Sequence, residues 1–431
     1  MSSRLLLIVA ALCCWACQNI EDATPAKRNT FIRFYEAPHN LSGVQAEPYE
    51  DGYLILGNEE LANGNFNTVI IRTNDRGERL GQDIVLPDGS AKALKITTDG
   101  YYVLGDSIKV NIESGDGSVF DLIVSSTRLF KLNASGNIMK KIVIADPRNQ
   151  NITDVFGSSL TTNADGDVIV LGTFKAAAAS ATEKPFLVSL DPVSLDTNWV
   201  KRYEVLDRDY VNSRAVHINP DGKIIWATAL LKESGNFARS YIGVPLIPEN
   251  STFENFSQYG EQTDQQLYPK DIQPSAGNIY GVVGSYATPA GANGNLFFVR
   301  VSQNGDIIQG SERYFDGESL LANNDDVAAS ASSSDDTGDA IIATSDGGFV
   351  LAGSMLTTPN RGNGGKDILL IKVTSQGEII WNKILGGAGD ETVSSIREMA
   401  DGGLLICGSN NVSGLSSIFM IKTTANGELK D

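Results

Sequence analysis

The chain has 431 residues, of which 42% are hydrophobic and 20% charged, with 43 glycines and a formal net charge of -18. That is enough apolar content for a large core, and the glycine suits many short strands and tight turns better than long helices. So acidic a surface repels phosphate backbones, which argues against a nucleic-acid partner.

The amino terminus reads MSSRLLLIVAALCCWACQNIEDATP. Arg4 gives a positive start, and Leu5 to Cys14 form an apolar stretch too short to cross a bilayer, which needs about 20 residues. The stretch ends at Cys17, preceded by Ala16 and followed by polar sequence. This resembles a bacterial lipoprotein signal, cut before a cysteine that becomes diacylated. The resemblance implies a signal peptide over 1–16, lipidation of Cys17 and a polar tether over 17–28. It also implies a place in the cell envelope, in the outer membrane, with membrane contact through the lipid alone. No later stretch has 18 consecutive apolar residues. Cys407 is then the only internal thiol, so no disulfide framework is expected. Its apolar run, Leu404-Leu405-Ile406-Cys407, reads as core.

From residue 29 one phrase recurs: an Asp-Gly turn, then a short apolar strand that often closes on glycine. It begins at Asp51, Asp99, Asp165, Asp221, Ala276, Asp346 and Asp401. Six intervals over 350 residues give about 58 residues per unit, near the blade length of known repeat rings. A second apolar strand follows each turn phrase, as in Leu129-Phe130-Lys131-Leu132 and Ile368-Leu369-Leu370-Ile371-Lys372, before a turn glycine (Gly136, Gly377). Asp-Gly pairs mark hairpins because both central residues tolerate φ > 0. The clearest unit reads as four antiparallel strands: A near Asp339–Thr344, B at Gly348–Gly353, C at Asp367–Thr374 and D at Glu378–Leu385. The last unit lacks its strand D. Thr30-Phe31-Ile32-Arg33-Phe34-Tyr35, just after the tether, is placed to supply it.

The pattern resembles PQQ-like and kelch-like β-propellers, and most of all the Thr-x-Asp-Gly-Gly-Phe/Tyr repeat arrays of bacterial cell-surface proteins. Thr344-Ser345-Asp346-Gly347-Gly348-Phe349 carries that resemblance most fully. The expectation is an all-β, seven-bladed β-propeller over 29–431, built of four-stranded antiparallel blades and closed by the N-terminal strand.

In such a meander the A–B and C–D turns leave one face, and the B–C and D–A connections leave the other. The A–B turns are short. The B–C connections read as longer loops: Asn58–Phe66, Asp106–Gly117, Thr173–Lys184, Ser285–Gly294 and Ser354–Lys366. Binding residues gather on loops held by a rigid scaffold. The candidate ligand-face residues are therefore Arg148, Tyr210, Phe237, Tyr268, Arg361 and Asp390. The repeated aspartates read as turn caps on the opposite face.

Only two histidines exist, His39 and His217, which excludes a His-rich metal centre. His217 reads as a buried residue on an inner strand. No phosphate-binding loop motif is present, and no cysteine pair of the kind PQQ enzymes carry remains after the leader. No catalytic residue and no resident cofactor are assigned. The acidic stretch 323–339 has oxygen ligands of the kind Ca²⁺ takes, without the spacing of a known calcium loop. The favoured function is a non-catalytic binding or scaffold lipoprotein holding a protein or glycan partner. The alternative is an extracellular glycan-active hydrolase or lyase with carboxylates in the channel.

Overall fold

The computed structural model describes residues 29–113, 119–144, 152–176, 183–203, 209–234, 237–248, 255–259, 266–275, 277–287, 295–316, 320, 336–356 and 364–429. The leader, Cys17 and the tether lie outside these residues. Chain order begins with β1 (Phe31–Tyr35) and continues in runs of four. The first run is β2 (Asn40–Tyr49), β3 (Gly52–Glu60), β4 (Phe66–Asn74) and β5 (Ile84–Leu86). The second is β6 (Ser90–Thr97), β7 (Gly100–Glu113), β8 (Val119–Asn133) and β9 (Ile138–Ile144). The third is β10 (Ile152–Thr162), β11 (Val168–Ala176), β12 (Glu183–Leu190) and β13 (Thr197–Arg202). The fourth is β14 (Asp209–Ile218), β15 (Lys223–Ser234), β16 (Phe237–Pro248) and β17 (Asn255–Tyr259). The fifth is β18 (Gln266–Ser275), β19 (Ile279–Ala287), β20 (Asn295–Ser302) and β21 (Arg313–Phe315). The sixth is β22 (Thr337–Ala343), β23 (Phe349–Leu356), β24 (Lys366–Val373) and β25 (Ile379–Leu385). The last three strands are β26 (Asp390–Glu398), β27 (Leu404–Val412) and β28 (Leu415–Lys422).

Each run forms one antiparallel four-stranded sheet, and β1 joins the last three in the order β1-β28-β27-β26. Phe31 stands opposite Lys422 and Tyr35 opposite Ile418. The first strands of consecutive sheets touch, β2 with β6, β6 with β10 and onward to β22 with β26, and β26 with β2. The architecture is an all-β propeller of four-stranded antiparallel blades.

The second strand of each blade explains why the sequence folds this way. Leu54, Ile55 and Leu56 are all buried, as are Val168 to Leu171. A continuous apolar run fits a strand covered on both faces. Alternate side chains then serve opposite neighbours, because successive residues of a strand point to opposite faces. Leu54 and Leu56 pack with Tyr101, Val103 and Phe130 of the second blade. Ile55, between them, packs with Leu405, Cys407, Ile418 and Met420 of the last. Comparable apolar clusters fill the other blade junctions. Cys407 is fully buried in this packing, and burial pushes its thiol up to about 12.

The Asp-Gly turns are fastened twice. Gly347 takes φ 85, a conformation that an L side chain rarely adopts. Asp346 Oδ1 accepts from the Gly348 N–H at 3.0 Å and the Thr344 hydroxyl at 2.6 Å. It also accepts from Lys372 Nζ, on the neighbouring β24, at 2.7 Å. Partial burial would raise the Asp346 carboxyl, but Lys372, Thr344 and Gly348 outweigh it and hold the group at about 2. The same arrangement joins Asp401 to Lys422 at 2.6 Å and Asp99 to Lys131 at 2.9 Å. These aspartates are parts of the turns.

Candidate functional site

The innermost strands line a central channel of about 960 Å³. Six of them carry a β-bulge, at Gly43/Gln45, Ala91/Ala93, Gly157/Ser159, Pro269/Asp271, Gly338/Ala340 and Val393/Ser395. A bulge adds one residue and re-aims its side chain. The added residues, Val44, Lys92, Ser158, Lys270, Asp339 and Ser394, all line the channel. Three positions further on lies a second tier, with Glu47, Lys95, Thr161, Gln273, Ile342 and Arg397. Of the residues between the tiers, Ala46, Ile272, Ile341 and Ile396 are buried in the blade junctions, while Gln45, Ser159, Asp271 and Ser395 also line the channel.

Two ladders of hydrogen bonds hold these bulges to the neighbouring blades. The residue after the glycine that closes the second strand accepts from the N–H just before the next blade's bulge. Asn58 takes the N–H of Ala91 at 2.6 Å, Asp106 that of Gly157 at 2.9 Å and Ser285 that of Gly338 at 3.2 Å. Ser354 takes that of Val393 at 3.3 Å, and Ser409 that of Gly43 at 3.0 Å. In the fifth blade the matching position is Pro269, which has no N–H to give. The approach is close: a Cβ on Gly43 would lie 2.4 Å from the Gly408 carbonyl oxygen. On the channel side, Ser395 Oγ accepts from Ala46 N–H, Ser159 Oγ from Val216 N–H and Asp271 Oδ2 from Ile341 N–H, all at 3.1 Å. Gln45 binds both backbone groups of Leu94, at 2.9 and 3.0 Å.

The fourth blade departs from this plan. Its inner strand β14 has two register shifts, and Ala215 stands at φ 53. Val216 then takes the buried, N–H-donating place, and His217 follows it into the channel. The Ile272 backbone beside the ring favours its charged form, less than burial disfavours it. Nε2 has no hydrogen-bond partner. Burial, with Arg397 and Lys95 nearby, lowers the imidazole to about 4, so it is neutral at pH 7.

The channel carboxylates are engaged by the fold. Arg397 grips Glu47 Oε1 through Nε and a terminal nitrogen, both at 2.7 Å, and Gln45 Nε2 adds a bond at 2.6 Å. Asp106 also accepts from the Thr127 hydroxyl at 3.1 Å and pairs with Lys92 at 3.3 Å, while burial raises its carboxyl. Burial raises Asp271 to about 6 despite its two backbone donors and the field of Arg397. Asp339 accepts from the Thr337 hydroxyl at 2.6 Å. Among the described lining residues Phe156 is the one aromatic. The arrangement offers polar contacts along the channel. Glu47, Asp106, Asp271 and Asp339 are tied to amides, hydroxyls and cations.

Four of the six sequence-derived ligand-face residues, Tyr210, Phe237, Tyr268 and Asp390, lie among the described residues. Arg148 and Arg361 lie outside the described residues, as do 323–335 of the acidic stretch. Tyr210 stands near the start of β14 opposite Leu230, and Phe237 opens β16 opposite Ser234. Tyr268, near the start of β18, donates its hydroxyl to Gln266. Asp390, the first residue of β26, is exposed and accepts from Lys366 N–H at 2.9 Å. The connections read as loops are partly strand: β7 runs to Glu113 and β11 to Ala176. Among the described residues, no group of three or more His, Cys, Asp or Glu side chains could hold a metal ion. Sequence reasoning missed Gln45, Glu47, Lys95, Asp271 and Arg397. Their one signal was polar residues at alternate positions along an inner strand.

No protein-family model matches the chain, and no curated protein does. Solved structures do resemble it. One is a puromycin-hydrolysing peptidase of Mycobacterium tuberculosis, with 10% identity and a TM-score of 0.51, covering 91% of this chain and 54% of that one. Another is a puromycin hydrolase, with 12% identity and a TM-score of 0.50, covering 92% of this chain and 56% of that one. A third, of unknown function, is from Dyadobacter fermentans, with 9% identity and a TM-score of 0.46, covering 91% of this chain and 98% of that one. The likeness is one of fold. This chain spans about half the length of the two hydrolases.

Proposed function

We propose that this chain is an exported, lipid-anchored binding or scaffold protein of the cell envelope. Its seven blades form one ring held shut by β1, and its loop-rich face receives a protein or glycan partner without catalysis. The leader and Cys17 support the anchor. The β1–β28 pairing and the apolar junction between first and last blades support the ring. The observation that carries the non-catalytic reading is the engagement of Glu47, Asp106, Asp271 and Asp339 by the fold itself. A second reading, a glycan-active enzyme, draws on Asp271, whose raised carboxyl could donate a proton near neutrality.

Two measurements test the reading. Cells fed an alkyne-labelled fatty acid should label the wild-type chain and not Cys17→Ala; equal labelling of both would remove the anchor. Purified protein should retain envelope partners or glycans in a pull-down while releasing no reducing ends from envelope and plant polysaccharides. Reducing-end release lost in Asp271→Asn would replace the binding reading with the enzymatic one.

A further inference from the structure

A second cavity, of about 300 Å³, lies between the second and third blades, away from the channel. Its walls are Ile142, Val143 and Ile144 of β9, Val155 of β10, and side chains of β11, β12 and β13. At about 30 Å³ for each water-sized group, it has room for about ten such groups. Val143 is exposed, so the cavity opens to solvent, but its walls give an ordered water few side-chain partners. Only Thr197 and Arg202 offer polar side chains here among the described lining residues.

The polar character is concentrated in one group. Arg202 stands opposite Phe186 in the sheet, and its guanidinium lies 4.8 Å from the centroid of the Phe174 ring. A guanidinium held over an aromatic face still offers its planar fork of donors to a carboxylate. An apolar cavity with one oriented polar group is the usual form of a small-molecule site.

We propose that this cavity binds an apolar carboxylate, a medium-chain fatty acid or compact aromatic acid, with its tail against Val155, Phe186 and Val188 and its head on Arg202. The site is independent of the channel and of the envelope reading, so either can fail alone.

The test titrates the purified full chain with octanoate and with octan-1-ol, reading displacement of the fluorescent apolar anion 1-anilinonaphthalene-8-sulfonate. Octanoate should saturate one site and bind at least about tenfold tighter than the alcohol, as expected for one charge-assisted contact. Arg202→Gln should abolish that preference while leaving the alcohol's binding unchanged. Val200→Phe, which fills the cavity, should abolish binding of both. If Val200→Phe fails to fold, the loss of preference in Arg202→Gln decides the matter. No displacement by octanoate, or equal preference in wild type and Arg202→Gln, would overturn the proposal.

Discussion

Replacing Arg397 with methionine tests the seam between the first and last blades. Arg397 on β26 reaches Glu47 on β2 across 350 positions of sequence, with side-chain exposures of 28% and 17%. Breaking a fully buried ion pair costs about 3–5 kcal/mol, and an exposed pair is worth about 0–1 kcal/mol. This half-open pair falls between, so Arg397→Met should cost about 2 kcal/mol. Unfolding entropy of about 2.1 cal/mol/K per residue gives about 0.9 kcal/mol/K for a chain this long, so Tm should fall by about 2 °C. Because Gln45 still holds Glu47, the sharper assay is a double-mutant cycle with Glu47→Gln, followed by urea unfolding. The two substitutions should couple by about 1–2 kcal/mol, within the range for residues in contact. Strict additivity, or an Arg397→Met midpoint equal to wild type, would refute a seam held by this pair.

Three further outcomes follow from the same geometry. Asp346 is held at about 2 in the fold against about 3.9 unfolded, so its contribution is present above pH 4 and lost as pH falls through 2. In Lys372→Met its carboxyl should titrate nearer the ordinary range by NMR; an unchanged value would acquit the lysine. His217, lowered to about 4, binds fewer protons folded than unfolded, so its contribution is present above pH 6.5 and is lost as pH falls toward 4. Its imidazole resonances should stay in the neutral position down to pH 5, and a midpoint near 6.5 would contradict its enclosure. Cys407 should resist a thiol reagent in the native protein and react once it unfolds in urea; rapid native labelling would refute its burial.

The second strands and their turns were legible because each combines a local turn signal with an apolar run. Asp346-Gly347-Gly348 and Asp401-Gly402-Gly403 announce hairpins, and Leu404 to Cys407 announce a strand covered on both sides. The residues that fasten one blade to the next were not legible. Asn58, Asp106, Ser285 and Ser354 were read as the beginnings of loops, because the apolar run stops there. They stand inside strands, and their polarity answers an N–H of another blade. Lys372 and Lys422 were visible at the ends of apolar runs, but their reach to Asp346 and Asp401 is a matter of sheet register. The channel was harder still. Glu47 and Arg397 meet through the folded ring, and Asp271 owes its raised carboxyl to enclosure by strands remote in sequence. His217 reaches the lumen through the irregular backbone around Ala215, which no periodicity encodes.

The partnership of β1 with β28 sets an order of events during synthesis. Among the described strands, Phe31–Tyr35 is made before all the others and its hydrogen-bonding mate Ile418–Lys422 after them. Through translation that segment has no native strand to lie against, and the earlier modules wait with one junction open. Pairing so distant in sequence is slow to find. Truncation from the carboxyl end would therefore orphan the amino end as well.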